Sequence, residues 1–121
     1  MRGCCTTSVL DSIEDVQISN DAIGIQVKFI LIKVSYGKVS KDILASSSAK
    51  FHADIFEEIA HRVPKQIKLE PSGGGRMHID TNNKTIRIWG VSTAYGAPDY
   101  RTAEMLLKQR YQDFDVTSSN H

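Results

Sequence analysis

One stretch limits the fold more than any other: IGIQVKFILIKVS, Ile23 to Ser35. It is rich in β-branched and aromatic residues and apolar almost without a break. A strand with one buried face alternates apolar and polar residues; a nearly continuous apolar run suits a central strand covered on both faces. Two segments read as the helices that would cover it. In KFHADIFEEIAHRV, Lys50 to Val63, the residues Ile55, Phe56, Ile59, Ala60 and Val63 form an apolar stripe at helical spacing, and Pro64 ends it. In APDYRTAEMLLKQRY, Asp99 is the expected cap, and Ala103, Leu106, Leu107 and Tyr111 mark the buried side.

Other strands are expected at Val39–Ala45, in QIKLE, in RMHID, in TIRIWGVS and in DFDVT. SYGK and TNNK between them have hairpin-turn composition, and PSGGG reads as a flexible break after QIKLE. The sum is an α+β single domain, a mixed sheet of about six strands flanked by two helices. Residues 1–14 are polar and mixed, and read as a loose tail before a domain spanning 15–121.

The chain has 121 residues, which suits one core, and 40% hydrophobic and 24% charged residues, as in soluble globular proteins. A net charge of +1 gives no global case for nucleic acid or for an anionic membrane. The longest uninterrupted apolar run, Phe29 to Ile32, is far too short to span a bilayer, and no segment reads as a signal peptide. The only cysteines, Cys4 and Cys5, are adjacent, so a disulfide scaffold is not expected and a reducing, cytoplasmic setting is. Arg2, not the glycine that myristoylation needs, follows Met1, so membrane anchoring through this cysteine pair is not expected. No long apolar surface stripe is left over, so a monomer is expected.

Four places carry chemistry. His52 opens the first helix, where free N–H groups and the macrodipole favour an anion and a neutral imidazole, the form a general base needs. Taken alone, it reads as a capping or packing histidine rather than a catalyst. Asp54 is a first-turn carboxylate or a partner for the ring, and His61 lies well down the helix, on the surface. HADIF is not the zinc motif HExxH, and the histidines and cysteines have no metal-ligand spacing. In SGGGR, bare glycines followed by Arg76 suit an oxyanion of phosphate geometry, or form a turn with an exposed arginine. GVSTAYG offers N–H groups and the hydroxyls of Ser92 and Thr93 after a strand, as ordinary Gly/Ser turns also do. Lys28 lies inside the most apolar strand, where an ammonium must reach the rim or meet an anion; Lys33 has the same requirement nearer the strand end.

These places together resemble the phosphohistidine phosphatase family, which includes the Janus sex-regulated proteins. VKFILIKV is similar to the family's FKYVLIRV, FHADIF to YHADIY, GGGRM to GGGRI, GVSTAYG to GYSMAYG and QDFDVT to PDYEVT, in order from about Ile23 to Asn120. The resemblance implies a mixed six-stranded sheet between two helices and metal-independent, cofactor-free removal of phosphate from phosphohistidine in proteins. It implies His52 as catalytic proton acceptor, with Lys28, Ser92, Thr93 and Ala94 holding the phosphate and Arg76 lining the site. The implied partners are phosphohistidine-containing proteins, not nucleic acid or membrane. The alternative is a catalytically weak or inactive Janus-type regulatory module that binds phosphorylated partners. Two departures stand out: Phe51 replaces the family's tyrosine and Val91 an aromatic residue.

Overall fold

The computed structural model describes residues 9–119, so Cys4 and Cys5 lie outside the described residues. The strands are β1 (Val16–Ile18), β2 (Gln26–Tyr36), β3 (Val39–Ser47), β4 (Lys68–Asp80), β5 (Thr85–Trp89) and β6 (Asp115–Ser118), with α1 (His52–Arg62) between β3 and β4 and α2 (Tyr100–Arg110) between β5 and β6. A helical turn at 9–11 and a 3-10 turn at Asn20–Ala22 precede β2. The strands form one six-stranded sheet in the order β1-β3-β2-β4-β5-β6. Its outer pairs, β1 with β3 and β5 with β6, are parallel, and the inner pairs are antiparallel.

β2 is the central strand expected from its two-sided apolarity. Its odd-numbered residues Val27, Phe29 and Leu31 pack into a core with Ala103, Leu106 and Leu107 of α2. Ile30, Ile32 and Val34 enter a second core with Ile55 and Ile59 of α1. The period-2 alternation of side chains thus divides one apolar run between two helices. Both hairpins form where turn residues occur. Gly37 supplies the positive φ, 63°, between β2 and β3. In the β4–β5 turn, Asp80 accepts the N–H groups of Asn82 and Asn83, and Lys84 takes φ 55°.

Asp99 caps α2, accepting from the Arg101 and Thr102 N–H groups, as its sequence indicates. α1 starts at Phe51 without a side-chain cap. Of its expected apolar stripe, Ile55 and Ile59 are buried, Phe56 and Val63 are half-buried, and Ala60 is exposed.

Three expectations need correction. PSGGG is not a flexible break: β4 runs through it, from Lys68 to Asp80, so the last three residues of QIKLE and all of RMHID are two ends of one strand. The sheet still has six strands because Val16–Ile18, too short to show periodicity, adds one at the edge. The stretch 1–14 is not loose throughout: Leu10 and Ile13 are buried in the α1-side core, so the packed chain reaches back at least to Leu10.

Candidate active site

The site forms where β2, β4 and the start of α1 meet. Lys28 of β2 is paired with Ser47 of β3 and Arg76 of β4. Directly paired residues point to the same side of a sheet, so all three face the α1 side. Lys28 is half-buried and Arg76 exposed, which lets the lysine stem cross apolar surface while its ammonium reaches water, as snorkelling requires. Both line a hollow of about 220 Å³ with Ser48, Ala49 and Lys50 from the loop before α1. Lys33, by contrast, is exposed and lies outside it.

His52 is 7% exposed at the first position of α1. Its Nε2 lies 2.9 Å from the carbonyl oxygen of Gly75. A carbonyl can only accept, so Nε2 carries the proton and, in the neutral ring, Nδ1 keeps the free lone pair. Burial pulls the His52 pKa below the ordinary imidazole value; the Gly75 carbonyl opposes this, and the nearby charges of Lys28 and Arg76 lower the pKa further. The ring is therefore neutral at physiological pH, with one basic nitrogen beside two cations. Asp54 makes no ion pair among the described residues, and its place in the first turn is that of a helix-stabilising carboxylate. His61 is exposed and bonds the Glu57 carbonyl one turn back.

The glycines of β4 have a different use from the one their composition suggests. A Cβ on Gly74 would lie 2.7 Å from Cδ2 of His52 and 2.6 Å from the Phe29 carbonyl oxygen. One on Gly73 would lie 2.4 Å from the Ala97 carbonyl oxygen. Their missing side chains admit the catalytic candidate on one hand and the 90–98 loop on the other, so this backbone is covered by protein and is not an anion cradle. Its polar groups are also spent: the Gly74 N–H bonds the Gly96 carbonyl and the Gly75 carbonyl takes His52. The expectation that SGGG itself receives an oxyanion is corrected on these contacts; Arg76 remains at the site.

The same contacts bring the Ser92–Ala94 segment close. Gly96 is joined to Gly74, and the Tyr95 ring lies 6.3 Å from that of Phe56 on α1. Ser92 is buried: its N–H and carbonyl pair with Gly96, and its hydroxyl accepts the Tyr95 N–H. Ser92 therefore shapes the loop, while Thr93 and Ala94 are exposed and their N–H groups stay outside these bonds. Tyr100 anchors the start of the loop through its hydroxyl, which donates to the Gly90 carbonyl. His52, Lys28, Arg76 and the Ser92–Ala94 turn, named separately in the sequence, thus lie around one end of the sheet. The Gly75 carbonyl and Lys50 were missed. A histidine that must pack on a residue without a side chain was the available signal for the first. No group of three or more potential metal ligands occurs among the described residues, and no helix there is long and apolar enough to cross a membrane.

Comparison with known proteins gives a consistent assignment. Residues 10–115 match the model of the Janus/Ocnus family. The human protein named 14 kDa phosphohistidine phosphatase is 32% identical over 117 residues, covering 89% of this chain and 91% of that protein. Its counterpart in Sus scrofa is also 32% identical, over 89% and 90%. The sex-regulated protein janus-A of Drosophila melanogaster is 29% identical over 108 residues, 87% of this chain and 78% of that protein.

Proposed function

The chain belongs to the Janus/Ocnus family, and we propose that it is a protein phosphohistidine phosphatase that cleaves the P–N bond without a metal. The observation that carries this is the state of His52: neutral, with Nε2–H held by Gly75 and Nδ1 free beside Lys28 and Arg76. The name shared by the human and pig relatives supports the substrate class.

In this reaction a water oxygen bonds to phosphorus as the P–N bond breaks. His52 Nδ1 takes the water proton, and the departing imidazole leaves with the bond's electron pair and a proton, which the newly formed imidazolium can return. Lys28 and the Thr93 and Ala94 N–H groups hold the equatorial oxygens, Ser92 keeps those N–H groups in position, and Arg76 adds charge at the rim. The free N–H groups in the first turn of α1 favour the same anion. We place the reaction on phosphohistidine-containing proteins in the cytoplasm, carried out by a monomer.

The test is phosphate release from a phosphohistidine peptide in the presence of a strong chelator. Wild type should turn over, and His52→Ala should fall by about 10²–10⁴-fold, the usual contribution of a general base. The second reading is a regulatory module that binds phosphorylated partners through the same site; it stands beside the first because a relative at 29% identity is named sex-regulated protein janus-A and not phosphatase. Stoichiometric binding of phosphopeptide by wild type with no phosphate released would establish that reading in place of the first.

A further inference from the structure

Beyond His52 the α1 side of the sheet continues over β4 and β5 as an open face. Lys28, Arg76 and Trp89 form one cross-strand row, and Gln26, His78 and Arg87 form the next. Arg76, Gln26 and Arg87 are exposed, and Trp89 and His78 half-buried. The hollow at Lys28 and Arg76 shares Ile25 and Gln26 with a second one of about 790 Å³, lined by His78, Arg87 and Trp89, so the two adjoin and together form a groove.

Its charge is one-sided. The ion pairs among the described residues are Lys41–Asp15, Lys84–Asp113 and Lys108–Glu104. Lys28, Lys50, Arg76 and Arg87 are in none of them, although the whole chain is close to neutral at +1. The Arg87 guanidinium lies 6.0 Å from the Trp89 ring centroid, at the edge of cation–π range. The following row, Asp80 and Asp115 either side of Thr85, reverses the sign and bounds the cationic stretch. By contrast, the hollow beside β1 mixes Arg62 and Arg110 with Glu14 and Glu58.

Its rim is apolar. Of the four exposed large hydrophobic side chains among the described residues, Ile25 lines the groove, Phe51 follows Lys50, and Val91 follows the glycine that packs on the Arg76 stem; Met105 lies apart on α2. Exposed apolar side chains beside unpaired arginines are the composition of a protein-binding surface, and a small phosphorylated molecule would fill only the hollow at Lys28.

We infer that this groove receives a short acidic polypeptide segment flanking the phosphorylated side chain of a protein substrate, with Arg87 and Trp89 as its selective contacts. The inference rests on the reading of the His52 site as a phosphohistidine site. Trp89 is the single tryptophan of the chain, so its fluorescence reports occupancy directly. The experiment titrates two peptides bearing a non-hydrolysable phosphonate analogue of phosphohistidine, one with Asp/Glu flanks and one with Lys flanks, into wild type, Arg87→Ala and Arg87→Glu. The acidic peptide should bind wild type about tenfold tighter than the basic one, change Trp89 emission, and weaken with salt. Arg87→Ala should reduce that preference, and Arg87→Glu should abolish or invert it. Equal affinity for the two peptides, or a preference unmoved by Arg87→Glu in a protein that melts like wild type, overturns the inference. Because binding is read without turnover, a chain that selects acidic flanks but releases no phosphate would overturn the hydrolase alone. One that releases phosphate but ignores the flanks would overturn the groove alone.

Discussion

Nε2 of His52 is committed to the Gly75 carbonyl, so proton uptake falls to Nδ1, and its basicity is set by burial and by Lys28 and Arg76. This has a direct consequence for pH dependence. In the proposed reaction the neutral ring is the active form, and its pKa lies below the ordinary 6.5. Under the proposed mechanism, kcat/KM should begin to fall below the depressed value rather than at 6.5, reaching about tenfold per unit, since each unit there lowers the fraction of neutral base tenfold. Lys28→Met removes one of the charges that disfavour protonation, so the ring pKa should rise, as NMR titration of the ring would show. An unmoved ring pKa in that variant would mean that the Lys28 charge does not contribute to the depression. The same depression links to stability. As pH falls below 6.5 the unfolded chain takes up the proton first, so stability contributed by the neutral ring is lost between 6.5 and the folded value, and none of it depends on pH above 6.5.

At the scale of elements, β4 ties the site together, and its glycines are where it is most easily damaged. Gly74→Ala would place a Cβ 2.7 Å from the His52 ring and 2.6 Å from backbone, and Gly73→Ala one 2.4 Å from the Ala97 carbonyl. Each should destabilise the fold by about 1–3 kcal/mol in urea unfolding, because backbone must move to relieve the overlap. They should differ in function: Gly74→Ala shifts His52 itself and lowers kcat, whereas Gly73→Ala moves the 90–98 loop that carries Thr93 and Ala94 and raises KM. Equal kinetic effects would argue against that division. This strand also marks where the sequence stops being legible. β2 was readable because both its faces are apolar, and α2 because Asp99 and its apolar spacing agree. In β4, Pro71 and three successive glycines oppose strand structure locally, so the letters suggest a break. Tertiary contacts override them: Pro71 enters the ladder beside the register shift at Leu31 and Ile32, and the glycines admit His52 and the loop. His52, Lys28, Arg76 and the Ser92–Ala94 turn were legible as chemistry, but which of them touch the shared glycines was not, since that depends on packing between segments distant in sequence.

At the scale of the molecule, the sheet has a core on each face, and the site lies where the α1-side core gives way to open sheet. The α1-side core includes Leu10 and Ile13 with Ile30, Ile43, Ile55 and Ile59, so residues preceding β1 help seat the helix that presents His52. Leu10 is 2% exposed, and truncating a fully buried leucine removes both its transfer energy and the packing around it. Leu10→Ala should therefore destabilise the whole domain by about 2–5 kcal/mol in a single cooperative transition, with an unchanged denaturant slope. Because Leu10 supports α1 from within the core, away from Lys28 and Arg76, the activity per folded molecule should stay near wild type under conditions where the variant remains folded. Circular dichroism in urea, followed by phosphate release at low temperature, checks both halves. A loss below about 0.5 kcal/mol, the scale of an ordinary surface substitution, would return the segment before β1 to the status of a tail. A large loss accompanied by a change in the His52 ring titration would instead show that this core sets the geometry of His52 as well as the stability of the domain.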